Sequence, residues 1–222
     1  MKYILNWIKE HKYCLAMLYF LFYLPAFFLL ERISVPKVTI HCPLDNMIPF
    51  VPVFVFPYFA WHILLPSILI FFMIKDREAF LRLCFTMFTG MAISLMIYAL
   101  FPNGLNIRIP VEGNSLPEKI CLFLYAIDTP TNVCPSIHVS STLAISLAVQ
   151  VADSLKGHTI AKILLHILSF LIIIATLFIK QHSVYDIIAG IALSVVLWIM
   201  SLHINFPGNG TGAKTQKSVM GI

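Results

Sequence analysis

The chain has 222 residues, 59% of them hydrophobic and 11% charged, with a formal net charge of +5. Soluble domains average roughly 45–50% apolar and about 25% charged residues, so the composition excludes an ordinary soluble protein and predicts an all-α, polytopic membrane protein. The basic residues are spread over short loops rather than gathered in a patch, which sets nucleic acid aside as a partner. The cysteines, at positions 14, 42, 84, 121 and 134, show no CxxC or zinc-type spacing, so neither a metal nor any other cofactor is expected; Cys42 and Cys121 are candidates for a pair on the outer side.

A membrane-crossing helix needs about 20 apolar residues, and six stretches qualify. The first, 13–30, follows a basic N-terminus (Lys2, Lys9, Lys12), as a signal peptide would. Its apolar run is longer than the about 7–15 residues usual for such a leader, and no A-x-A site follows, so it reads as a retained anchor. The second, 52–74, contains Pro57 and Pro66, whose freed backbone groups neighbouring helices can satisfy. The aromatic run "PFVPVFVFPYFAW" at 49–61 reads as an interfacial belt and core, with a lipid-access groove as the alternative. The third span is 79–101. The longest loop, 102–136, contains Ser115-x-x-Glu118, a capping-box pattern. It predicts either a short interfacial helix over 116–127 or a loop segment packed on the helices. The fourth span, 137–154, is the most polar, with Ser140, Ser141, Thr142, Gln150 and Asp153, and should face other helices. The fifth and sixth are 161–180 and 184–204. His62 and His166 fall inside spans and read as interhelical hydrogen-bond partners. Residues 1–206 thus form one six-helix membrane domain in a single bundle, and 207–222 a Gly-rich, disordered tail. With the N-terminus in the cytoplasm, ten of the 15 Lys and Arg lie inside, which places both termini in the cytoplasm of a multi-pass protein of the cell membrane. Asn209-Gly-Thr211 has the form of a glycosylation acceptor but would face the cytoplasm unused.

Polar groups interrupt this pattern at "FIKQHSVYDIIAG" (178–190), where ionisable side chains near a bilayer point to function. His182 and Asp186 are four residues apart and so share one helical face. His138, in "TNVCPSIHVSS", precedes His182 by one helix in and one helix back, so both lie at the same outer depth. Ser136, Arg108 and Lys180 belong to the same outer layer. A His oriented by a carboxylate can act as nucleophile or base, and a second His can protonate a leaving group. Arg, Lys and a Ser at a helix start suit phosphate oxygens. For Ser136 a helix N-cap is the structural alternative, for Arg108 an interfacial anchor, and for Lys180 a snorkelling side chain. Asn132 and Thr131 read as turn formers after Pro130.

"CPSIHVSS" together with "KQHSVYDIIAG" resembles the type 2 phosphatidic acid phosphatase superfamily. Pro135-Ser136-Ile137-His138 is similar to its second motif and His182-x-x-x-Asp186 to its third, and the six-helix layout extends the resemblance over most of the chain. The resemblance implies His182 as nucleophile, Asp186 as its orienting carboxylate, His138 as the acid for the leaving alcohol, and Ser136 and Arg108 as phosphate ligands. The pattern departs from the family where two cations are expected: Phe101 stands seven residues before Arg108, and Ala175 and Thr176 stand where the third motif opens with Ser-Arg. Lys180 is the nearby substitute. That loss brings the chain nearer to the sphingomyelin and inositol phosphorylceramide synthase branch, which transfers phospho-headgroups. The expected activity is therefore cleavage or transfer of a lipid phosphate ester through a phosphohistidine at the extracytoplasmic face. Its partners would be a lipid phosphate, the bilayer and, for transfer, a lipid alcohol acceptor. A transporter or a non-catalytic membrane protein is the lesser alternative.

Overall fold

The computed structural model describes residues 2–208, so the tail beyond 208 and its Asn209 acceptor lie outside the described residues. The described residues form eight α-helices in order: α1 (Lys2–Glu10), α2 (Tyr19–Ile33), α3 (Val55–Lys75), α4 (Arg77–Leu100), α5 (Leu116–Ile127), α6 (Ile137–Val151), α7 (Thr159–Phe178) and α8 (Val184–Leu202). A 3-10 segment, Lys12–Leu18, leads into α2, and another, Pro52–Phe54, into α3. Among the described residues, five helical segments are long and apolar enough to cross a bilayer: Lys12–Ile33, Pro52–Lys75, Arg77–Leu100, Thr159–Phe178 and Val184–Leu202. The chain is an integral membrane protein.

The expected span 137–154 is the shorter helix α6, of 15 residues. At about 1.5 Å per residue it is shorter than a hydrocarbon core of about 30 Å. It packs against α3, α4, α7 and α8, while Gln150 near its end and Asp153 just beyond it are exposed, contrary to the expectation that they face other helices. Ser140, Ser141 and Thr142 are all buried. His166 of α7 binds Ser146 Oγ at 2.7 Å and Gln150 Oε1 at 3.1 Å, both on α6, the interhelical role expected of it. Around α6 the core is aliphatic and aromatic, with Phe72, Phe80, Leu83, Met87, Ile145 and Ile172 in one cluster. At the end opposite the histidines, Asp76 caps α4 by accepting from Ala79 N at 3.1 Å and holds Ser154 N at 3.0 Å.

The loop side carries structure that no hydrophobic period announces. β1 (Val38–Ile40) and β2 (Asn103–Leu105) pair in parallel, with Val38 opposite Asn103. The Asn103 side chain then organises the turn before α6. Its Oδ1 accepts from Val133 N and Cys134 N, both at 2.9 Å, and its Nδ2 donates to Cys134 O at 3.1 Å. Helix α5 has the predicted bounds. Ser115 donates its hydroxyl at 2.5 Å and its backbone N–H at 2.9 Å to Glu118 Oε2, and these bonds, the hydroxyl's foremost, hold the Glu118 carboxyl below its usual range. Cys121 and Leu124 bury one side of α5 against Val55, Tyr58 and Ile179, while Leu122, Phe123 and Ile127 stay exposed. The helix is thus both packed on one side, against Val55, Tyr58 and Ile179, and apolar on its free side. Cys42 and Cys121 are free thiols, not a disulfide.

Candidate functional site

The site is built where α8 begins. Helix α8 starts at Val184, with Ser183 as N-cap, so His182 precedes the helix rather than sharing a helical face with Asp186. Asp186 instead reaches back: its Oδ2 accepts from Ser183 N at 2.8 Å and from His182 Nδ1 at 3.3 Å. A carboxylate only accepts, so Nδ1 carries the hydrogen and the Nε2 lone pair is left for chemistry. One side chain thereby caps the helix and fixes the imidazole.

Asp45 supports the same turn from a distant segment. It is 2% exposed and accepts from Ser183 Oγ at 2.6 Å, Val184 N at 2.9 Å and Cys42 N at 2.7 Å. Lys180, in a left-handed backbone conformation (φ 55°), donates its Nζ to the carbonyls of Asp45 (2.7 Å) and Ile48 (2.5 Å). Burial lowers the Lys180 pKa and the Asp45 charge opposes the shift. Lys180 therefore ties the 43–48 turn to the site and does not line its cavity.

His138 sits in the first turn of α6. Its ring centroid lies 5.7 Å from that of His182, 4.3 Å from Trp61, 4.6 Å from Tyr58 and 6.2 Å from His62. Trp61 is anchored by its indole N–H on Ser141 Oγ at 2.9 Å, and Tyr58 by its hydroxyl on Asp128 Oδ2 at 2.8 Å. His62 faces this cluster instead of bonding across helices. Ser136 is fully buried as the N-cap of α6: its Oγ accepts from Val139 N at 3.3 Å, and its own N–H donates to Asp186 O at 3.2 Å. It joins the starts of α6 and α8 rather than lining the cavity. Gly190 lets these helices approach, because a Cβ there would lie 2.8 Å from Ser136 O.

His138 and His182 line a cavity of about 320 Å³. Its walls are largely aromatic, including Tyr23, Phe27 and Phe28 of α2 and Tyr58, Phe59 and Trp61 of α3. This gives part of the 49–61 aromatic run a place beside the histidines. The polar lining is Glu31, His62, Asp128, Thr129, Thr131, Asn132 and Gln181. Among the described residues no Lys or Arg lines it. Arg108 stands one layer behind, stacked on Tyr125 with its guanidinium carbon 4.5 Å from the ring centroid. It donates to Asp128 O at 2.7 Å and to Gln181 Oε1. Burial lowers the Arg108 pKa, and the Asp128 charge counters that.

The predicted residues thus fall into two groups. His182, Asp186 and His138 come together, but Asp186 meets His182 by reaching back from the first turn of α8 and not from a shared helical face. Ser136, Arg108 and Lys180 surround them as supports. The residues without an assigned role in the sequence reading are Asp45, Gln181, Glu31 and Asp128. For Gln181 the adjacency to His182 was a usable signal, whereas nothing near Asp45 hints at a partner more than 130 residues away. Comparison with protein-family models, with curated proteins and with solved structures finds no match for this chain.

Proposed function

We propose that the protein cleaves or transfers a lipid phosphate ester by way of a phosphohistidine. The observation that carries this reading is the Asp186-held imidazole of His182 with His138 beside it, both lining a cavity that aromatic side chains share. His182 Nε2 attacks phosphorus while Asp186 holds Nδ1–H and stabilises the cation that forms. The phosphorus–oxygen bond to the leaving alcohol breaks, and His138 supplies the proton that alcohol takes up. In the second half His138 takes a proton from the acceptor, water or a lipid alcohol, whose oxygen displaces His182 from phosphorus. The aromatic walls fit the apolar part of a lipid beside the reacting phosphate. No metal or other cofactor takes part in this scheme.

In this reading α6 joins the five long helices as a sixth membrane element of one domain. The histidines face the extracytoplasmic side, and both termini face the cytoplasm of the cell membrane. Transfer to a lipid alcohol is the second reading, favoured by the absence of Lys and Arg from the cavity lining among the described residues. Purified protein in mixed micelles, given phosphatidic acid and phosphodiester lipids with and without diacylglycerol, tests both. Product formation that vanishes in His182→Ala and His138→Ala is expected, and free phosphate versus a new phospholipid separates the two readings. Turnover that persists in His182→Ala overturns the proposal.

A further inference from the structure

Residues that line the cavity carry buried polar atoms that the fold does not use. Gln181 is 3% exposed and Asn132 is 7% exposed, and both line the cavity beside the histidines. Gln181 Nε2 and both polar side-chain atoms of Asn132 are buried without a hydrogen-bond partner, as is His138 Nε2. A buried, unpaired amide costs roughly 1–3 kcal/mol, so several such groups around one cavity point to a ligand.

The orientation of Gln181 is forced. Arg108 has only donors, and it binds Gln181 Oε1, so the amide oxygen faces the guanidinium and the NH2 group points away from it. Arg108 thereby polarises a neutral donor instead of presenting its own charge. Asn132 is held by its backbone, whose N–H donates to Asn103 O at 2.6 Å, in a left-handed conformation (φ 54°) that Asn tolerates. Besides the histidines, the ionisable side chains lining the cavity, among the described residues, are the carboxyls of Glu31 and Asp128, with no Lys or Arg. Glu31 spends Oε1 on Thr129, and Asp128 spends Oδ2 on Tyr58. Both carboxylates repel added negative charge.

We infer that the substrate phosphate is held by the carboxamides of Gln181 and Asn132 rather than by cations, and that the site therefore takes a singly charged phosphodiester in preference to a dianionic phosphomonoester. This rests on the phosphoryl-transfer reading for the ligand being a phosphate. Neutral donors give about half the strength of charge-assisted ones. They suit one negative charge, and the acidic rim penalises a second.

The test separates binding from turnover. Protein carrying His182→Ala, which cannot form the phosphohistidine, is titrated calorimetrically in detergent with dihexanoyl phosphatidic acid and dihexanoyl phosphatidylcholine. The diester should bind about tenfold tighter or more. Gln181→Glu keeps the bond to Arg108 but removes the donor, and should weaken diester binding about 10- to 100-fold, the equivalent of one hydrogen bond to a charged group. Asn132→Asp, which preserves shape and backbone preference, should do the same, and thermal melts of each variant establish that it is folded. Phosphatidic acid binding as tightly as the diester overturns the inference. So does diester binding unchanged in both folded variants, or no binding of either lipid. His182-dependent hydrolysis of phosphatidic acid with poor use of diesters would leave the proposed function standing and this inference refuted.

Discussion

Replacing Asp45 with Ala tests whether the site is assembled by a contact remote in sequence. The carboxylate is 2% exposed and receives donors from Ser183 Oγ, Val184 N and Cys42 N. Truncation leaves those groups buried without an acceptor, at about 1–3 kcal/mol each. It also removes a negative charge from the N-terminus of α8, where the helix dipole favours one. The terms share one structure and do not add in full, so a loss of about 3–5 kcal/mol is expected. For a chain of this size each kcal/mol shifts the melting temperature by about 2–4 °C, which gives a fall of about 10 °C. The assay is thermal unfolding of the purified protein in one fixed detergent. Asp45→Asn keeps one oxygen and should lie between wild type and Asp45→Ala. Activity should fall at temperatures where the variant is still folded, because His182 hangs on the turn that Asp45 fixes. A melting temperature within about a degree of wild type would refute the assignment of Asp45 as the anchor of α8.

Gly190→Ala places a Cβ 2.8 Å from Ser136 O and 3.2 Å from Val139 Cβ, so α6 and α8 must separate, at about 1–3 kcal/mol; an unchanged melting temperature would contradict that contact. Asp186→Asn retains a capping oxygen but no longer enforces the Nδ1–H tautomer of His182. By analogy with other His–Asp pairs its kcat should fall on the order of 10³–10⁴-fold, and a loss under about tenfold, read as product per unit protein, would remove Asp186 from the mechanism. The Cys134 thiol is pushed up to about 12 by burial and then by the neighbouring Asp186 charge. Only the thiolate reacts, so alkylation by iodoacetamide at pH 8 should run about a thousandfold slower than in the SDS-unfolded protein. Asp186→Asn should speed it, both followed by mass spectrometry of the peptide containing Cys134.

Much of the architecture was legible because bilayer helices leave a strong mark. Five of the expected spans reappear within a few residues at either end, and α5 matches its capping box. The exception, α6, shows why hydropathy alone misleads: a helix surrounded by protein needs neither full length nor uniform apolarity, and Ser140, Ser141 and Thr142 are buried among neighbours. The pairing of His138 with His182 followed from counting one helix inward and one back. The supports did not follow, because each depends on side-chain direction. Asp186 caps α8 rather than sharing a face with His182, a difference set by where the helix begins. Lys180 and Arg108 looked like phosphate ligands because charge near a reactive His invites that reading. The fold turns both toward carbonyl oxygens of the 43–48 and 125–128 segments.

That redirection of charge explains the character of the cavity. The two basic side chains closest in sequence logic to the histidines are occupied with main-chain acceptors, and Arg108 reaches the cavity only through Gln181. Asp186 and Asp45 are likewise committed, one to His182 and Ser183, the other to the first turn of α8. A cationic cluster so close to an apolar cavity would carry a large desolvation cost without a bound anion. Dispersing the charges onto backbone groups lowers that cost and leaves amides, rings and imidazoles to line the space. The selectivity inferred for the site thus has the same origin as its stability: no Lys or Arg among the described residues reaches the cavity wall, because Lys180 and Arg108 are structural, and the lining is left with amides, rings, imidazoles and the carboxyls of Glu31 and Asp128.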